Sequence, residues 1–207
     1  MQIEMRSVNK KIGQVQLLSD VSLEMESGHV YGFVGDNGSG KTVLFKILLG
    51  LMKQSSGNIY VDGKERGDLL QDVGFIIERP NYIPYYTARK NLKILASYRK
   101  KADDSRIGEV LAMFGLDPED KKKVGKYSLG MKQKLALAMA FLEDPQILIL
   151  DEPLSALDAD SVEMAREQIA KERERGKLIL LASHYAEDIQ VLCDVVYKMD
   201  GGRCSKF

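Results

Sequence analysis

The octapeptide GDNGSGKT, Gly35–Thr42, sits between an apolar run, HVYGFV, and a second, VLFKILLGLM. Glycines at this spacing let successive backbone N–H groups turn inward on an anion, and G-x-x-x-x-G-K-[ST] between a strand and a helix is a phosphate-binding loop. Gly35, Asp36, Asn37, Gly38, Ser39 and Gly40 are expected to form its cradle. Lys41 then reaches the β- and γ-phosphates, and the Thr42 hydroxyl ligates Mg2+. A second chemical pair, Asp151–Glu152, ends the apolar run QILIL. At the carboxyl end of a parallel strand Asp151 can hold Mg2+ through water, and Glu152 can polarise an attacking water. His184 follows a further run, KLILLAS, and is expected at the same sheet edge, within reach of a γ-phosphate. A third feature is Ser128-Leu129-Gly130, which opens an apolar helix. Serine is a favourable N-cap, and a helix N-terminus attracts anions, so Ser128 and Gly130 raise the question of which anion they meet.

These groups need a sheet to carry them. Continuous apolar runs at His29–Val34, Val73–Ile77, Gln146–Leu150, Lys177–Ala182 and Val195–Met199 read as doubly buried parallel strands. Ile3–Val8 precedes them, and Asp20–Met25 alternates as a half-exposed antiparallel strand would. Asn58–Val61 runs into an Asp-Gly turn. Helices are expected after Lys41, Thr87, Ser105, Ser128, Asp160 and Ala186. Three helical runs and no good strand between Pro80 and Ala140 read as a helical insertion into an α/β core. The whole chain reads as one domain, with the core at about 1–79 and 141–207.

Composition narrows the function. Lys+Arg and Asp+Glu each total 30, so the net charge is zero, which argues against bulk nucleic-acid binding. No apolar run is long enough to span a bilayer, and the N-terminus shows no signal-peptide pattern. A role at a membrane therefore requires a partner. Cys193 and Cys204 match no metal spacing and suggest a reducing compartment.

In order along the chain, these motifs resemble the ATP-binding cassette (ABC) family. GDNGSGKT resembles the Walker A, ILILDEP the Walker B with its catalytic glutamate, Ser155–Asp158 (SALD) the D-loop, and His184 the switch histidine. Tyr127–Met131, YSLGM, stands where the family has LSGGQ, with Leu129 for the first glycine and Met131 for the final glutamine. The resemblance implies a P-loop NTPase fold (RecA-like), with a mostly parallel core, an N-terminal antiparallel β subdomain and a helical subdomain at about 80–140. It implies ATP hydrolysis with Mg2+ by two cassettes packed head to tail. Ser128 and Gly130 of one cassette would then meet the γ-phosphate on the other, with Asp158 beside it. The Q-loop position carries Glu78, a carboxylate able to ligate Mg2+ or hold water, with Arg79 beside it to offset the charge. That feature and KQKLALAMA resemble the bacitracin-resistance and lantibiotic-immunity branch of exporters. The adenine-stacking position falls at Ile12, which offers apolar contact but no ring.

Tyr82, Ile83, Tyr85 and Tyr86 cluster after Glu78, where the family meets a transmembrane subunit. Tyrosines suit such a contact because they bury area and keep a polar tip. The resulting expectation is the ATPase subunit of an ABC exporter, a homodimer held to the inner face of the cell membrane by a separate permease. The alternative is a non-transport ABC ATPase acting on ribosomes or DNA, which the missing basic stripe opposes.

Overall fold

The computed structural model describes residues 1–78 and 82–207. Two sheets share one of the two apolar cores. In the first, the antiparallel hairpin of β1 (Gln2–Ile12) and β2 (Val15–Glu26) turns at Gly13, in left-handed backbone. β4 (Ser56–Val61) and β5 (Lys64–Glu65) complete the order β2-β1-β4-β5. The expected strands covered only the inner parts of this hairpin. Its tip, Lys11–Gln16, is exposed on both faces and so lacks the apolar alternation that marks a strand. Register shifts between Met5 and Val8 let Ile3, Met5 and Val8 all stay buried.

The second sheet has the order β10-β9-β3-β8-β7-β6, formed by β3 (Val30–Val34), β6 (Val73–Ile76), β7 (Ile147–Asp151), β8 (Leu178–Ala182), β9 (Val195–Asp200) and β10 (Arg203–Lys206). β6, β7, β8, β3 and β9 are mutually parallel, and only β10 runs antiparallel. Consecutive residues of its central strands feed opposite cores. Ile147 and Ile149 pack with Phe33, Phe45 and the β1–β2 hairpin. Leu148 and Leu150 pack with the helical side, Leu92, Val110, Leu111 and Phe141. Burial on both faces is why these strands read as unbroken apolar runs.

The helices are α1 (Lys41–Leu49), α2 (Ala88–Arg99), α3 (Asp104–Met113), α4 (Leu129–Phe141), α5 (Ala159–Glu174) and α6 (Ala186–Leu192). Side chains of Thr87, Asp103, Ser128 and Asp158 accept hydrogen bonds at the starts of α2, α3, α4 and α5. α3 therefore starts a residue before Ser105, and α5 before Asp160, because an Asp with a free β-region backbone lies just upstream of each. β10 carries only polar and half-buried residues, RCSK, and so gave no strand pattern.

Gly202, at φ 79°, joins three pieces near the phosphate loop. Its N–H donates to Ser39 O at 3.1 Å, and its carbonyl accepts from Ser19 N–H at 2.8 Å. A Cβ there would lie 2.5 Å from Leu17 O, a backbone atom that cannot swing away. Gly202→Ala should cost about 2 kcal/mol or more, through overpacking and the left-handed backbone. Urea unfolding measures this, and an unchanged midpoint would show that the turn relaxes freely.

Candidate active site

The phosphate loop follows β3 directly, and its last two glycines take conformations closed to most side chains, Gly38 at φ 83° and Gly40 at φ 111°. Gly40 caps α1 without a side-chain hydrogen bond, so the first N–H groups of α1 face outward with the positive end of the helix dipole. Lys41 Nζ folds over the loop root, donating to Gly35 O at 2.5 Å and Asp36 O at 3.2 Å. Ser39 Oγ is buried with no hydrogen-bond partner among the described residues. Asn37, Gly38, Ser39, Gly40, Lys41 and Thr42 line one wall of a cavity of about 380 Å³. Outward N–H groups, a buried orphan hydroxyl and one ammonium suit a phosphate group.

The opposite wall comes from the ends of β7 and β6. Asp151 Oδ2 accepts from Thr42 Oγ1 at 2.6 Å. Two hard oxygens, one anionic, facing the same cavity form a donor pair that fits Mg2+. Burial pushes the Asp151 carboxyl above the ordinary carboxylate range. The Thr42 hydroxyl and Lys41 pull it back, while Glu78 adds to the rise. Glu152 also lines the cavity. Its backbone is left-handed, φ 52°, with N–H bonded to Ala182 O at 2.9 Å. Strain of this kind in a non-glycine residue concentrates at functional sites, and Glu78 shares it at φ 54°. Glu152 Oε2 lies 2.7 Å from His184 Nδ1, so the ends of β7 and β8 meet in one acid–imidazole pair.

Glu78 lines the cavity too, and its carboxylate is held by Lys46 Nζ at 2.6 Å. Arg79, expected as its neutralising neighbour, lies outside the described residues. Lys46, Gln133 and Leu17 were not singled out in the sequence, and Ser155 only as the first residue of the D-loop. Lys46 sits one helical turn beyond Thr42, a spacing that could have found it. Gln133 Nε2 donates to Pro153 O at 2.7 Å and Glu152 O at 3.2 Å, tying α4 to the Glu152 loop. Leu17 and Ser155 line the cavity through tertiary folding alone.

Of the other expected site residues, Gly35 and Asp36 form the loop root under Lys41 and His184 meets the cavity through Glu152, whereas Ser128, Gly130, Asp158 and Ile12 stand elsewhere. Ser128 is exposed and accepts from Met131 N–H at 3.2 Å as the cap of α4. Gly130 starts that helix against the backbone of the Ala156 loop, where a Cβ would meet Ala156 O at 2.9 Å. Asp158 caps α5 through Ser161. None of the three lines the cavity of its own chain. Ile12 is 54% exposed at the hairpin tip, paired with Val15, and from that hairpin it is Leu17 that reaches the cavity wall.

The family model described as "ABC transporter" matches residues 18–155. The chain belongs to the ABC transporter family. It is 41% identical over 204 residues to the uncharacterized ABC transporter ATP-binding protein YybJ of Bacillus subtilis, covering 97% of this chain and 94% of that protein. It is 39% identical over 203 residues to the bacitracin transport ATP-binding protein BcrA of Bacillus licheniformis, covering 94% of this chain and 65% of BcrA. Among solved structures, a dimeric bacterial ABC transporter cassette, MJ0796, superposes with a TM-score of 0.88 at 25% identity, covering 99% of this chain and 98% of that one. This chain is accordingly an ATP-binding subunit of the family and an ATPase. The matched residues include both Gly35–Thr42, the expected Walker A loop, and Ile147–Asp151, the strand expected to carry the Walker B carboxylates. No helix among the described residues is long and apolar enough to cross a membrane.

The Asp151 environment makes a pH-dependent expectation. Its folded pKa is raised, so the folded protein holds this proton to higher pH than the unfolded chain, and Asp151 costs stability as pH rises through that window. Asp151→Asn should raise the melting temperature of the nucleotide-free cassette at pH 7. The gain should shrink as pH falls towards the ordinary carboxylate range. Melting curves at several pH values check this, and a lower melting temperature for the variant at pH 7 would contradict it.

Proposed function

We propose that this chain is the ATPase subunit of an ABC exporter, working as a head-to-tail homodimer on a separate permease at the inner face of the cell membrane. One observation carries the reading. The cavity of a single chain is lined by Lys41, Thr42, Asp151 and Glu152, whereas Ser128 and Gly130 are not part of its lining. A second copy related by a two-fold axis would bring its Ser128 and the N-terminus of its α4 to the γ-phosphate, completing two identical sites. The dimeric state of the MJ0796 cassette supports this arrangement, and the bacitracin transport described for BcrA supports export.

Within each site Lys41 and the loop N–H groups would bind the triphosphate, and Thr42 and Asp151 would hold Mg2+. Held there, the metal would supply neutralisation of the charge on the triphosphate. Glu152 accepts the proton of the water that attacks the γ-phosphorus, and the bond to the β-phosphate oxygen breaks to leave ADP and phosphate. His184, through Nδ1, orients the Glu152 carboxylate for that transfer. Glu78, held by Lys46, would complete the water and metal shell. Ile83, Tyr85 and Tyr86 are exposed, whereas Tyr82 packs on the helical core beneath Lys132. The permease contact is therefore assigned to the first three.

Glu152→Gln should bind MgATP yet turn over at least roughly a hundredfold more slowly, the usual range for a lost general base. It should also accumulate as an ATP-bound dimer in gel filtration. Turnover like the wild type would remove Glu152 from the mechanism. Ser128→Arg tests the two-chain site. Monomers should bind ATP with affinity within about twofold of wild type, because their own Walker A is intact, but should not dimerise with ATP. Loss of ATP binding by the monomer would mean that Ser128 serves its own chain's nucleotide.

A further inference from the structure

The loop that presents His184 is anchored from beneath by buried polar side chains that the hydrolysis scheme does not use. Ser183, 3% exposed, donates from its hydroxyl to Asp188 Oδ2 at 2.8 Å and accepts from Tyr185 N–H at 3.1 Å. Asp188, 2% exposed, takes two further donors on its other oxygen, Arg166 Nη2 at 2.6 Å and Nε at 3.1 Å. Arg166 reaches in from α5 and is itself buried. Its remaining Nη1 bonds Glu187 at 3.1 Å, with Glu163 at 3.8 Å on the rim. The neighbouring carboxylates hold the Arg166 guanidinium above its ordinary pKa, so it stays charged.

α6 has no side-chain hydrogen bond at its N-cap, Tyr185. Capping alone would account for the Ser183–Asp188 bond, but it would not account for Arg166. That residue comes from α5, the helix entered directly from the loop that begins at Glu152 and ends at the Asp158 cap. Both members of the Glu152–His184 pair therefore hang on one buried ion pair: Glu152 through its loop into α5, and His184 through its neighbour Ser183. A buried pair with every oxygen used defines one geometry, because any displacement leaves a charge unpaired in low dielectric. We infer that Arg166, Asp188 and Ser183 are positioning residues that set the His184 ring against Glu152 for hydrolysis. The inference rests on the reading of Glu152 and His184 as the catalytic pair.

The test measures kcat, KM for MgATP and melting temperature for Ser183→Ala, Asp188→Asn, Arg166→Lys and Arg166→Met, each alone and in a His184→Ala background. Ser183→Ala leaves the Arg166–Asp188 pair intact, so it reads positioning even where Asp188→Asn fails to fold. Ser183→Ala and Asp188→Asn should lower kcat roughly tenfold, as misplacement of a reacting group does, with KM within about twofold. Arg166→Lys should keep more of kcat than Arg166→Met. With His184 already removed, the same substitutions should lower the residual rate less than about twofold, because their effect passes through that ring. Folded Ser183→Ala protein with wild-type kcat would overturn the inference, as would full multiplication of the losses in the His184→Ala background. Wild-type kcat in His184→Ala alone would overturn the catalytic reading beneath it.

Discussion

The register of four parallel strands decides where every reactive group stands. β7 pairs Asp151 with Ala182 of β8, β8 pairs Ala182 with Phe33 of β3, and β6 pairs Ile76 with Leu150 of β7. The carboxyl ends are thus level, and the residues just beyond them are Glu78, Glu152, His184 and the Gly35–Thr42 loop. A one-residue slip in any pairing would turn its apolar set to the wrong core, so the same burial that stabilises the sheet also aligns the chemistry. Phe33, in T-shaped contact with Phe45, locks the strand before the phosphate loop to the helix after it.

Electrostatics at those strand ends is held in tension. Asp151 is buried at a cost, and Glu78 adds negative charge to it; Lys41 and Lys46 offset both. The bound metal and triphosphate would convert this cost into binding, since Asp151 is then paired rather than merely desolvated. Left-handed backbone at Glu78, Glu152 and Ala156 lies in the loops of the same region. Stability is given up where the bound ligand restores it, which is the usual relation between a site and its scaffold.

Much of this was legible in the sequence, for identifiable reasons. Strands buried on both faces, such as Ile147–Asp151 and Leu178–Ala182, announce themselves as apolar runs, and the Walker A loop carries its glycines at fixed offsets. Ser128 as a cap followed from residue type and position. The outer hairpin of β1 and β2, and strand β10, were harder because they bury little and so carry no periodic signal. The residues that support the site were the least legible. Gln133 and Arg166 act through tertiary contacts with Glu152 O and Asp188 that no local pattern announces, and Lys46, which holds Glu78, offers only its one-turn spacing from Thr42. Ile12, expected to meet the base, stands at the exposed hairpin tip, and Leu17 of the same hairpin is on the cavity wall.

The central claim is that one chain's Walker A loop is completed by another chain's α4 N-terminus. The most direct measurement is inter-chain cross-linking between two single-cysteine proteins, Asn37→Cys and Ser128→Cys, each with Cys193 and Cys204 replaced and each carrying Glu152→Gln. The account predicts a cross-linked heterodimer on mixing with MgATP, absent without nucleotide and absent for Ser128→Cys alone. ATP-dependent cross-linking of Ser128→Cys to itself, or none in the mixture although ATP is bound, would contradict it.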